Sequence, residues 1–258
     1  MKKYLSENGY NLACSLFSVV LMWVVWLVAY AVVGNDYLVP SFFGTAEEFF
    51  ALFAEGFFWA AFGHTLLRTL VAFLISFALG FAAAAAGVAF APFARFLRPI
   101  IAVCRTLPTM AVLLLILVWT SPRSAPVVVT VLVLFPVVYT QLTSSVSGVD
   151  GGLIEMAKAY RLTTRQKIFK IYVPQIAPVT VSQTGANLSF GIKLTISAEV
   201  MAHTYTALGG LMNEAQTYYN LTRLAALTLC AIFAGIVAEL IFRLIARYAF
   251  AWKRGEEV

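Results

Sequence analysis

Charged residues are scarce in this chain, so the ionisable groups set inside its apolar runs are the ones placed to do chemistry. Arg68, Arg105, Lys193, Glu199 and Glu239 are of that kind. Each costs roughly 2.5 to 3.5 kcal/mol at a bilayer centre unless it faces a cavity or a partner, so such residues mark solute pathways and buried pairs. Lys193 is placed to line a pathway and attract an anion. The plainer alternative is a lysine that snorkels outward or balances a core acid. Glu199 follows six residues later and, on a regular helix, points nearly the opposite way, so the two are not expected to pair directly. Arg68 and Arg105 read as helix-end anchors.

Other chemistries find little support. "GANLSFGIK" at 185–193 is the nearest approach to a phosphate-cradling G-x-x-x-x-G-K-[ST], but five residues separate its glycines and no lysine directly follows the second. The chain therefore has no nucleotide site of its own. Cys14, Cys104 and Cys230 lie far apart without metal-ligand spacing, and read as small core residues. His64 and His203 have no spaced partners, so neither suggests a metal ligand or a general base. An intramembrane enzyme would need ionisable or nucleophilic groups at matching depth, and none is apparent.

The elements that must position these groups are membrane helices. Of 258 residues, 61% are hydrophobic and 12% charged, and the mean hydropathy is +0.87. Soluble domains carry about 25% charge. Six apolar runs, near 12–33, 63–90, 99–119, 125–146, 175–200 and 223–249, reach the roughly 20 residues that span a hydrocarbon layer. The first is too long for a signal-peptide core and no clear cleavage site closes it, so it reads as a retained helix. Pro108 and Pro178 should bend or unwind their helices, and "GFAAAAAGVAF" at 80–90 offers small residues for close helix approach.

Basic residues mark the cytoplasmic side. Lys2, Lys3, Arg95, Arg98, Lys158, Arg161, Arg165, Lys167, Lys170, Arg247, Lys253 and Arg254 fall in the two tails and the even-numbered loops, whereas only Arg123 and Arg223 fall in the odd-numbered ones. Both termini are expected inside. The first outer loop carries Asp36, Glu47, Glu48 and Glu55 with no base, and its phenylalanines suggest an interfacial helix. The net charge of +6 is thus mostly a topology signal and implies no nucleic acid, because the basic residues are divided among separate loops.

One polar segment stands out. "EMAKAYRLTTRQKIFKIYVPQIAP", 155–178, holds five bases and one acid in the longest cytoplasmic loop. "SGVDGG" at 147–152 ends the preceding helix, and Asp150 can cap a new one. Leu153, Ile154, Ala157 and Tyr160 recur at helical spacing, with Glu155, Lys158 and Arg161 on the wetter side. Thr163 and Gln166 fit a capping box for a second short helix, which Pro174 should stop while sitting in the first turn of the fifth membrane helix. The product would be a compact helix-turn-helix knob joined to two membrane helices; the plainer alternative is a solvated loop obeying the charge rule.

These residues resemble the permease subunits of binding-protein-dependent ABC importers, in particular the nitrate, sulfonate and taurine branch. That branch reads V-D-x-x-L-x-E-A-A-x-x-L-G-A-S-x-x-Q and then L-P-x-x-x-P. Val149, Asp150, Leu153, Glu155, Ala157, Gln166, Pro174 and Pro178 stand in the same register. "HTLLRTLVAFLISFALG" from His64, "CRTLPTMAVLLLILVW" from Cys104 and "LGGLMNEAQ" from Leu208 are similar to the family's core helices and outer glycine turn. Three departures stand out: Met156 replaces the second alanine, Arg161 replaces the glycine that closes the first short helix, and "TSPRSAP" replaces F-G-x-G. Arginine in a left-handed turn costs on the order of 1 kcal/mol or opens the turn.

The resemblance implies an all-α membrane protein of the type I importer (MetI-like) kind, with about six spans and cytoplasmic termini. Residues 1–62 would form a first helix and outer acidic loop, and 63–258 a five-helix permease core with coupling helices at about 150–173. It implies a non-enzymatic subunit of a multi-pass bacterial inner-membrane importer that moves a small, anionic solute by alternating access. Glu155, Ala157, Lys158, Arg161, Arg165 and Gln166 would contact ABC ATPase subunits, and Lys193 and Glu199 would belong to the solute pathway. The remaining implied partners are a periplasmic or lipoprotein substrate-binding protein, a second permease copy and the lipid bilayer. No cofactor or metal is expected on this chain; ATP and Mg belong to the partner ATPase. A self-sufficient secondary transporter is the main alternative, but no internal repeat relates the two halves.

Overall fold

The computed structural model describes the backbone of residues 2–250 and the side chains of residue 14 and of residues 16–250. Lys253 and Arg254 of the basic tail lie outside the described residues. Ordered along the chain are α1 (Lys2–Val33), α2 (Phe42–Leu52), α3 (Gly56–Ala89), α4 (Ala91–Thr106), α5 (Thr109–Trp119), α6 (Ala125–Ser147), α7 (Gly151–Ala159), α8 (Thr164–Lys167), a π turn (Ile168–Tyr172), α9 (Val173–Met201), α10 (Leu208–Thr217) and α11 (Leu221–Ala249). All regular structure among the described residues is helical.

Each of the six apolar runs is helical, but they are not six uniform spans. Four helices are long and apolar enough to cross a membrane: α1 from Leu16, α3, α6 and α11. The run at 99–119 is broken, since α4 and α5 meet at 97° and would make one further span only together. Pro108 is the cause. It forces Leu107 into an extended conformation (φ −65°, ψ 129°) and itself caps α5. Pro178 behaves differently, because α9 continues through it without interruption.

That helix, α9, is the centre of the bundle, packed against α3, α6, α10 and α11. Its 29 residues are long enough to span at about 1.5 Å per residue, yet it buries Thr184, Asn187, Ser189, Thr195 and Glu199. Protein, not lipid, surrounds these groups and satisfies them. Gln141 and Asn187 exchange two amide hydrogen bonds, 3.1 and 2.7 Å, and the Thr130 and Thr195 hydroxyls meet at 3.1 Å. Close approach is supplied by glycine. A Cβ on Gly185 would lie 2.8 Å from the Glu239 Cα of α11, and one on Gly80 would lie 2.9 Å from Val138 of α6.

The acidic loop is more firmly built in than its composition suggested. Ser41 caps α2 by accepting from the Gly44 N–H, and α2 then packs on α11. Arg223, at the start of α11, donates to Glu48 at 2.8 Å and to Glu55 at 2.6 and 2.9 Å. The expected boundary at 62/63 falls inside α3, which begins at Gly56. By contrast α1 touches this assembly lightly. Trp23 and Trp26 meet Phe42 edge-on at 5.8 and 5.7 Å, and Trp26 Nε1 donates to the Pro40 carbonyl.

Candidate functional site

The knob at one end of the bundle forms as local sequence dictates. Asp150 accepts from the Gly152 N–H at 2.9 Å to start α7. Its end is closed by two backbone bonds, Arg161 N–H to Lys158 O at 3.0 Å and Leu162 N–H to Ala157 O at 2.9 Å. This pairing requires a left-handed residue at 161, and Arg161 supplies it at φ +51°. The arginine therefore keeps the glycine's turn and does not open it, at the backbone cost anticipated above.

The second short helix begins with the capping box, Gln166 N–H to Thr163 Oγ1 at 3.3 Å and Thr163 N–H to Gln166 Oε1 at 2.9 Å. Pro174 sits in the first turn of α9, as expected, but does not stop the second short helix. The chain passes through the π turn at 168–172, where the Val173 N–H reaches back to Ile168 O, and runs directly into α9. A wider turn lets the helix absorb a proline that has no N–H to give and would crowd a regular turn. The second short helix of the knob is thus continuous with the central helix of the bundle, while residues 160–163 join it to α7.

The six residues expected to contact an ATPase separate into two groups. Glu155, Lys158, Arg161 and Arg165 are exposed, and none of them forms an ion pair within the described residues. Ala157 is 1% exposed, so it packs the underside of α7 and is not itself a surface contact; Gln166 is turned back on Thr163. Tyr160, expected on the apolar underside, is instead 76% exposed, and Met156 and Phe169 are also exposed. These three were not anticipated as surface residues. Met156 in place of alanine was the available signal, since a large apolar side chain on the wet side of a short helix has no use within the chain.

At the opposite end, Glu199 is fully buried. Its Oε1 accepts from Arg68 at 2.9 Å, and its Oε2 accepts from the Thr65 hydroxyl at 2.8 Å and the Gly209 N–H at 3.2 Å. Thr65 in turn accepts from the Leu208 N–H, and Arg68 also donates to the Thr206 carbonyl. One carboxylate therefore locks α3, α9 and the start of α10 together. Arg68 is corrected from a helix-end anchor to the partner of a buried acid, and Glu199 faces this network instead of an open pathway. Lys193 does face outward from the protomer. It shares an exposed stripe of α9 with Ala186, Phe190 and Ser197, and no acid within the described residues pairs with it.

Residues 76–250 match the family described as "Binding-protein-dependent transport system inner membrane component". The chain belongs to that family. Membership makes it a multi-pass inner-membrane component of a transport system. A Bacillus subtilis (strain 168) protein, SsuC, named as an aliphatic sulfonates transport permease, is 25% identical over 165 residues; the match covers 63% of this chain and 59% of that relative's length. Among solved structures, the inward-facing MetNI methionine ABC transporter aligns with a TM-score of 0.62 at 19% identity, over 72% of this chain and 92% of that one. A bacterial alginate ABC transporter bound to its periplasmic protein aligns with a TM-score of 0.66 at 14% identity, over 91% and 94%. At these identities the two structures establish the fold of the family member.

Proposed function

We propose that this chain is one permease half of an ATP-driven importer, with both termini in the cytoplasm, α7 and α8 facing the cytosol and α10 facing outward. Two copies form the pathway, ABC ATPase subunits carrying ATP and Mg grip the knob, and a substrate-binding protein delivers solute to the α10 end. The observation that carries this reading is the knob itself. A helix closed at both ends presents Glu155, Met156, Lys158, Tyr160 and Arg161 to the cytosol. Residues 160–163 join it to α8, which runs without a break through the π turn into the central helix of the bundle. A push on such a lever reaches α9, and α9 carries Lys193 and the Glu199 lock.

The solute is a small anion drawn by Lys193, and a sulfonate is the first choice because the related SsuC is named for aliphatic sulfonates. Nitrate and taurine are the next candidates. The test is ATP hydrolysis by the reconstituted complex in response to solute-loaded binding protein. Glu155→Lys and Tyr160→Ala should abolish that response while each leaves the permease folded. A full response from both variants would remove the knob from the coupling path.

A further inference from the structure

The α9–α10 end of the bundle holds a pocket of about 420 Å³ lined by Val200, Met201, His203, Asn213, Gln216, Thr217 and Tyr219. Two of the three non-glycine residues with left-handed backbone among the described residues, His203 (φ +52°) and Tyr219 (φ +55°), line it. Each closes a helix by the same paired bonds. The His203 N–H reaches Val200 O at 3.3 Å and the Thr204 N–H reaches Glu199 O at 3.1 Å. Likewise the Tyr219 N–H reaches Gln216 O at 3.1 Å and the Asn220 N–H reaches Ala215 O at 2.8 Å. Glycine makes this turn without strain. Keeping an imidazole and a phenol at two such positions around one cavity is a cost that capping alone does not explain, and backbone strain of this kind gathers at ligand sites.

The polar groups of the pocket are partly fixed and partly free. Asn213 Nδ2 donates to Val200 O at 3.2 Å and Asn213 Oδ1 accepts from the Thr217 hydroxyl at 3.4 Å, which holds the asparagine in place. His203 Nδ1 lies 3.1 Å from the Met201 carbonyl, so that nitrogen carries its proton and the ring is held in place as one wall of the pocket. The Gln216 carboxamide and the Tyr219 hydroxyl have no partner within the described residues. Met201 and Val200 add an apolar surface. The pocket also continues the exposed stripe of α9: Lys193, Ser197 and Met201 recur every four residues, so Lys193 lies about 12 Å deeper on the same side.

We propose that this pocket is an outer subsite for the transported solute, deepening the importer reading on which it rests. The ligand is a small organic anion with a short apolar part. Its head group meets the Gln216 carboxamide, Asn213 and the Tyr219 hydroxyl, its apolar part meets Met201 and Val200, and Lys193 receives it next. No formal charge lines the pocket, so it holds an anion by neutral groups alone, weakly enough for the solute to move on.

The test is uptake of ethanesulfonate into vesicles that hold the complete transporter, this chain with its ATPase, measured against rising concentrations of ethanesulfonate-loaded binding protein. His203→Gly and Tyr219→Gly remove the side chains while easing the backbone, so both variants fold with an equal or higher melting midpoint; Gln216→Leu removes the free amide. The subsite predicts that maximal uptake falls about fivefold per variant, at an unchanged half-saturating concentration of binding protein. Unchanged uptake with a raised melting midpoint would reduce His203 and Tyr219 to caps and overturn the proposal. A raised half-saturating concentration with full maximal uptake would assign the surface to the binding protein and overturn it equally. Absence of ATP-driven uptake by the unsubstituted transporter overturns the importer reading, and the subsite with it.

Discussion

Arg68 and Glu199 stand 131 residues apart in sequence and 2.9 Å apart in space, buried at the α10 end of the bundle. Breaking such a pair leaves an uncompensated buried charge, which costs about 3 to 5 kcal/mol. Glu199→Gln keeps the shape and removes the charge, so it should lower the melting midpoint of the detergent-purified protein sharply, and Arg68→Met combined with Glu199→Gln should recover part of the loss. Gly209→Ala belongs to the same test, because its Cβ would collide with the Glu199 Cβ and lie 2.7 Å from Ile196 O. An unchanged midpoint for Glu199→Gln would show that the network does not hold the three helices together.

Arg161 offers a cleaner separation of fold from contact. Its left-handed backbone costs on the order of 1 kcal/mol that glycine would not, while its side chain is exposed on the knob. Arg161→Gly should therefore stabilise the isolated permease by about that amount and yet weaken ATPase binding. Thermal unfolding and co-purification with the ATPase, run on one preparation, check the two halves. A variant that is both more stable and fully coupled would show that the guanidinium contacts nothing.

Local grammar made the knob and the helix ends legible. Asp150 as a cap, the Thr163–Gln166 box, and the break at Pro108 all follow from interactions spanning at most a few residues, and each is found where the sequence put it. What escaped depends on the third dimension. Nothing in the sequence joins Arg68 to Glu199, because only the packing of α3 on α9 brings them together. Pro174 looked like a stop because an α-helix cannot continue easily through it; the π turn at 168–172 supplies the wider geometry that local propensity does not foretell. Tyr160 had helical spacing for the apolar face, yet α7 ends at Ala159 and the aromatic ring turns outward.

The clamp of α2 onto α11 is sensitive to acid. The hydrogen bond from Arg223, with its charge, holds the Glu55 carboxyl below the usual 4.5 against a smaller opposing effect of burial. A depressed folded-state pKa contributes stability that is present above the unfolded value and is lost as pH falls through the folded one. Stability from Glu55 should thus be complete above about pH 4.5 and fade below it. Glu55 is 38% exposed, so solvent screening limits the effect to less than about 1 kcal/mol. Hydrogen exchange at 42–52 should accelerate as pH falls below that point, after correction for intrinsic rates, and Glu55→Gln should remove the dependence. A wild-type profile identical to that of Glu55→Gln would contradict the clamp.

Lys193 carries the electrostatic part of the pathway. At an effective dielectric of about 20 and a distance of about 10 Å, a lysine lowers the energy of a monovalent anion by about 1.7 kcal/mol, worth more than tenfold in occupancy. Lys193→Met should cut anion uptake on that scale while solute-stimulated ATP hydrolysis persists, and Lys193→Arg should retain most of it. Uptake at the wild-type rate in Lys193→Met would take the lysine out of the pathway.

The claim on which the rest depends is that the knob at 150–173 transmits work from a separate ATPase to α9. Concentrative solute uptake, measured in vesicles that contain this chain with its binding protein, with and without the ATPase and ATP, tests it most directly. Accumulation only when both ATPase and ATP are present is the predicted result. Accumulation by the permease without the ATPase, driven by an ion gradient or by nothing added, would contradict the account.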